Sequence, residues 1–126
     1  MKTEERLPRV LVVEDEALVR LELASALADA GLDAIDVSNA QDAMAALSAS
    51  LEIQVMITDA ELFGQVDGIK LSWMVRHKWP TIHTFVVSAR HRADELDLPA
   101  RYQFFAKPYR TDRLIATIRA SLDMPR

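Results

Sequence analysis

Five residues spread from position 14 to position 107 are of types that could do chemistry together: the acids Glu14, Asp15 and Asp59, the hydroxyl of Ser88 and the amine of Lys107. Three carboxylates brought within a few ångströms repel one another, so one of them takes up a proton or a cation sits among them. Oxygen donors with no histidine or cysteine beside them in sequence suit a hard divalent ion, Mg²⁺ or Mn²⁺, which takes a few carboxylates and keeps waters and phosphate oxygens as its other ligands. Lys107 and Ser88 bring the complementary half, a point cation and a hydroxyl donor able to hold an anion such as a phosphoryl group. A carboxylate can itself accept that group, giving an aspartyl phosphate. The chemistry implied is phosphoryl transfer.

Something must bring these residues together, and the sequence shows what. Each follows a short apolar run: Val10 to Val13 before Glu14-Asp15, Val55 to Thr58 before Asp59, Phe85 to Val87 before Ser88, and Phe104 to Ala106 before Lys107. Such runs read as strands crossing a buried sheet, and Val10 to Val13 as one buried on both faces. If they are parallel, all four deliver their polar groups at the carboxyl edge of one sheet, where open α/β folds place ligands.

The intervening segments read as helices. Val19, Leu23, Ala26, Leu27 and Ala30 recur at helical spacing over Ala17 to Ala30, and Gly31 supplies a left-handed stop. Asp33 to Val37 alternates polar and apolar, as a more exposed strand does. Ser38 or Asn39 is placed to cap a helix over Ala40 to Ser48. The spacing predicts a helix over Asp67 to Trp79, closed by Pro80, with Arg76, His77 and Lys78 at its carboxyl end. Arg90 to Leu98 is read as a short, highly charged helix stopped by Pro99, and Thr111 or Asp112 opens a last helix running through Leu122. Strand then helix, five times over, predicts a flavodoxin-like (βα)5 fold: a doubly wound five-stranded parallel sheet in the order 2-1-3-4-5. In that order strands one and three are neighbours, and Glu14, Asp15 and Asp59 converge.

Composition narrows the classes further. At 126 residues the chain is expected to form one domain over positions 1–126, with a charged leader at 1–7 and no output domain. A net charge of −4 argues against a nucleic-acid binder, whose affinity comes chiefly from a basic field. With no cysteine there is neither a disulfide nor a thiolate site. No apolar run approaches membrane-spanning length and the amino terminus lacks a secretory signal, so a cytoplasmic location is the expectation.

The segments Val10-Leu11-Val12-Val13-Glu14-Asp15-Glu16, Thr58-Asp59, Asp67-Gly68, Val86-Val87-Ser88-Ala89 and Lys107-Pro108-Tyr109, in this order and at these separations, resemble the receiver domain of two-component response regulators. The resemblance implies that Asp59 is phosphorylated by a sensor histidine kinase or histidine phosphotransfer protein. It implies that Glu14, Asp15, Asp59 and the main-chain carbonyl of Glu61 hold Mg²⁺, that Lys107 contacts the phosphoryl oxygens before a cis bond to Pro108, and that Ser88 and Phe104 are the switch pair. Glu61 and Arg90 fall at the two variable positions flanking the site, and they are expected to pair over the pocket. The readout implied is binding of a downstream protein target, with a homodimer through the face of the fourth helix, fifth strand and fifth helix as a further expectation. The loop Leu62 to Val66 departs from the family pattern, lacking its proline and running one residue longer. His77, His83 and His91 show no ligand spacing and are read as surface or helix-end residues. Two other classes stay open: a pseudo-receiver that binds partners without phosphorylation, and a haloacid-dehalogenase-like phosphatase, which normally carries a second Asp where this chain has Glu61.

Overall fold

The strands form along the apolar runs: β1 (Arg9–Val13), β2 (Asp33–Val37), β3 (Ile53–Asp59), β4 (His83–Ser88) and β5 (Gln103–Ala106). All pair in parallel, in the order β2-β1-β3-β4-β5. This is the expected flavodoxin-like topology. The computed structural model describes residues 7–49 and 52–123, so all but the last residue of the charged leader lies outside the described residues.

Successive side chains of a strand point to opposite faces, and that alternation divides the core in two. Val10 and Val12 of β1, with Val55 and Ile57 of β3, pack on one face against Leu23 and Leu27 of α1 (Ala17–Asp29) and Leu114 and Ile118 of α4 (Thr111–Ser121). Leu11, Val13 and Met56 pack on the other face against Ala43 and Leu47 of α2 (Ala40–Ser48) and Leu71 and Val75 of α3 (Gly68–Lys78). β1 and β3 are therefore covered on both sides, which is why they read as continuous apolar runs.

Local chemistry sets the helix ends. The Asn39 side chain accepts from the Asp42 N–H at 2.7 Å and that of Asp67 from the Lys70 N–H at 2.9 Å, capping α2 and α3. Gly31, at φ +84°, lets the chain turn after α1. The fourth connection departs from expectation. In place of a helix over Arg90 to Leu98 there is one 3₁₀ turn, Ala93–Glu95. This stretch has no apolar stripe to bury, and its backbone N–H groups find side-chain acceptors instead: those of Arg90 and His91 donate to Ser88 Oγ and that of Arg92 to Glu95 Oε1. The span is tied to α3 by Trp73 Nε1, donating to the Asp97 carbonyl at 2.8 Å, and by Arg76, donating to that of Ala100 at 2.7 Å. Among the described residues no helix is long and apolar enough to cross a membrane.

Candidate functional site

Parallel pairing continues just past the strand ends and sets the depth of each polar residue. The Ala60 N–H donates to the Val87 carbonyl at 2.8 Å and the Lys107 N–H to that of Ser88 at 2.8 Å. Glu14, Asp59 and Ser88 consequently sit at the rim with 4%, 6% and 1% of their surface exposed.

The acids converge as the strand order requires. One oxygen from each of Glu14, Asp15 and Asp59 lies within 4.8 Å of the others. Lys107 Nζ reaches between two of them, donating to Glu14 Oε1 and to Asp59 Oδ2 at 3.0 Å each. Backbone N–H groups take further oxygens: that of Glu16 donates to Glu14 Oε2 at 3.0 Å, that of Glu61 to Asp59 Oδ1 at 3.1 Å and that of Phe63 to Asp15 Oδ2 at 3.0 Å. The last bond pins the proline-free loop after Asp59 directly to the acid cluster.

Electrostatics match this geometry. Burial pushes Glu14 above the ordinary carboxylate range and the neighbouring charge of Asp59 adds to the push, against hydrogen bonds from Glu16 and Lys107. Burial alone would depress Lys107, but its hydrogen bonds to Glu14 and Asp59 outweigh it and hold the ammonium charged. Three oxygen donors of one sign, with no imidazole or thiolate among them, form a cluster able to coordinate a hard divalent cation.

Ser88 faces a second arrangement. Its Oγ donates to Glu61 Oε2 at 2.5 Å, and the same oxygen accepts from His91 Nδ1 at 2.9 Å. The Ala89 N–H donates to Glu61 Oε1 at 3.2 Å. The expected Glu61–Arg90 pair therefore does not form; Arg90 contributes its backbone N–H to Ser88 and His91 takes the carboxylate. With the chain bent around Ser88 instead of helical, residue 91 faces Glu61. Sequence reasoning set His91 aside as a surface residue, and no pattern in the sequence marks it, because the contact depends on that bend. Phe104 lies half-buried on β5 opposite Val86, while Phe105 on the other face packs against Phe85 and Tyr109. The Lys107–Pro108 bond is cis.

A doubly wound parallel sheet with an acid trio and a bridging lysine at its carboxyl edge is an arrangement able to hold a divalent cation and an anionic group side by side. The family model of the response regulator receiver domain matches residues 10–119, and the chain belongs to that family. Among curated proteins it is similar to the hydrogenase transcriptional regulatory protein HoxA of Cupriavidus necator, 30% identical over 118 residues, covering 90% of this chain and 24% of that protein. It is also similar to the DNA-binding transcriptional regulator NtrC of Salmonella typhimurium, 27% identical over 116 residues, covering 90% and 24%. The chain thus spans about a quarter of the length of these relatives. Among solved structures, a response regulator receiver protein from Sinorhizobium medicae superposes with a TM-score of 0.83 at 26% identity, covering 93% of this chain and 95% of that one.

Proposed function

We propose that this receiver domain accepts a phosphoryl group on Asp59 from the phosphohistidine of a sensor histidine kinase or histidine phosphotransfer protein. An Asp59 oxygen forms a P–O bond as the donor's P–N bond breaks, and the departing imidazole nitrogen keeps its electron pair and takes up a proton. The observation that carries this reading is the placement of Lys107 Nζ at 3.0 Å from both Asp59 and Glu14 beside Asp15. Lys107 is the fixed positive charge available to the incoming phosphoryl oxygens. Glu14, Asp15, Asp59 and the main-chain carbonyl of Glu61 would hold Mg²⁺ or Mn²⁺, which supplies neutralisation of phosphoryl charge. Ser88 and Phe104 form the switch pair: a phosphoryl group that draws Ser88 inward shifts the population of the β4–β5 connection and the packing of Phe104. The surface of that connection, β5 and α4 is the face we assign to a downstream partner or a second copy of the chain.

The test is incubation with acetyl phosphate and Mg²⁺, read by intact mass. The wild type gains one phosphoryl group, while D59N and the wild type in EDTA gain none. A wild type that stays unmodified with every small phosphodonor, and drains no phosphate from any phosphorylated sensor, would leave the pseudo-receiver reading in its place.

A further inference from the structure

A serine hydroxyl has one hydrogen to donate and two lone pairs with which to accept. At Ser88 all three are in use. The hydrogen goes to Glu61 Oε2 at 2.5 Å, and the lone pairs accept the N–H groups of Arg90 at 3.2 Å and His91 at 3.0 Å. A phosphoryl oxygen can only accept, so it cannot recruit Ser88 while Glu61 holds that hydrogen.

Glu61 is itself held in place. Oε2 accepts from His91 Nδ1 at 2.9 Å as well as from Ser88, and Oε1 accepts from the Ala89 N–H at 3.2 Å. A carboxylate between two such donors requires His91 to carry its proton on Nδ1. The Ser88 hydroxyl, the His91 ring and the Ala89 N–H all converge on the two Glu61 oxygens, which makes Glu61 a charge-assisted acceptor, the stronger kind.

We propose that Glu61 is an internal competitor for the Ser88 hydrogen, that a phosphoryl group on Asp59 is held more tightly when the Ser88 hydrogen bond turns from this carboxylate to a phosphoryl oxygen, and that His91 is the positioning residue holding Glu61 in the competing place. The inference rests on Asp59 being the acceptor. Its content is that the switch is an exchange between two acceptors, with Glu61 setting how readily it turns.

Beryllofluoride, a phosphoryl mimic, titrated calorimetrically into the protein at saturating Mg²⁺ tests this. E61A and E61Q both keep the main-chain carbonyl of residue 61. E61A is expected to bind beryllofluoride roughly tenfold more tightly than wild type, the scale of one charge-assisted hydrogen bond, and E61Q to tighten in the same direction. H91A tightens partway, and H91N, which returns a donor near the Nδ1 position, brings the affinity back toward wild type. In the S88A background the effect of E61A vanishes, because the contested hydrogen is gone. Unchanged or weaker binding by E61A overturns the competition, and so does tightening that persists undiminished in S88A, which would reduce Glu61 to a repelling charge. Weaker binding by H91A overturns the positioning role, making His91 an attracting cation instead. A wild type that binds no beryllofluoride and gains no mass from acetyl phosphate defeats the reading of Asp59 and this inference with it. A wild type that does both while every variant matches it defeats this inference alone.

Discussion

Gly68 opens α3 with no side chain, and the carbonyl of Asp59 occupies the space that one would fill. An ideal Cβ at Gly68 lies 1.8 Å from the Asp59 carbonyl oxygen, 2.7 Å from its carbon and 2.9 Å from Ala60 Cα, all inside the 3.0 Å floor of real Cβ contacts. The obstructing atoms are backbone of a central strand's end, so no rotamer change relieves the clash. In G68A the start of α3 must withdraw from β3, which stretches the 3.0 Å bond from the Gly68 N–H to the Ala60 carbonyl and pulls the fully buried Leu71 and Val75 from the core. Overpacking of this kind costs about 1–3 kcal/mol, and a lost hydrogen bond adds about 1 kcal/mol. The expected destabilisation is therefore about 2–4 kcal/mol, a large share of the stability of an ordinary domain.

Urea unfolding followed by circular dichroism measures this as a fall in midpoint at unchanged slope, and the melting temperature should drop by roughly 10 °C. Gly64 is the internal control: at φ +109° it has nothing within 4 Å of an added Cβ, so G64A carries backbone strain alone. Its cost should be about 1–2 kcal/mol, below that of G68A. A G68A protein within about 0.5 kcal/mol of wild type, the ordinary range of surface substitutions, would refute the close approach of α3 to the Asp59 backbone.

Removing the lysine ammonium in K107A should slow phosphoryl uptake from acetyl phosphate by about 100-fold or more, the scale of losing a preorganised charge at a reacting centre; an intact-mass time course within about threefold of wild type would contradict that role. The chain has two tyrosines, and burial raises both Tyr102 and Tyr109 above the ordinary 10.0. Because the folded state favours the neutral phenols, the stability they contribute is complete below pH 10.0 and is lost as pH rises through their folded values. Tyrosinate absorbance should accordingly rise at higher pH in the native protein than in urea, and coincident curves would count against it. W73F deletes the indole donor to the Asp97 carbonyl. Hydrogen exchange should quicken across the β4–β5 connection and not in α1 or α2, with a global loss below about 1 kcal/mol, since the bond is exposed.

The sheet was legible because burial on both faces writes itself as unbroken apolar runs: Val10 to Val13 and Val55 to Ile57 could hardly be anything else. Strand order followed from the same fact, and order alone brings Glu14, Asp15 and Asp59 to one place. The fourth connection misled for the opposite reason. Arg90 to Leu98 contains helix-forming residues, yet the N–H groups of Arg90, His91 and Arg92 go to Ser88 Oγ and Glu95 Oε1, leaving its own carbonyls a single turn, a competition that propensity cannot weigh. The bend around Ser88 creates the contact of His91 with Glu61, which no spacing in the sequence marks, so that Glu61 takes His91 rather than the expected Arg90 as its partner.

A rod-like helix in the β4–β5 connection would carry its own ladder and shift as a lever. One turn cannot: the span takes its shape from where it is fastened, at Ser88 and Glu61 on one side and at Trp73 and Arg76 on the other. Movement at the first fastening is therefore shared out along the intervening residues, and it reaches α3 through the Trp73 and Arg76 bonds.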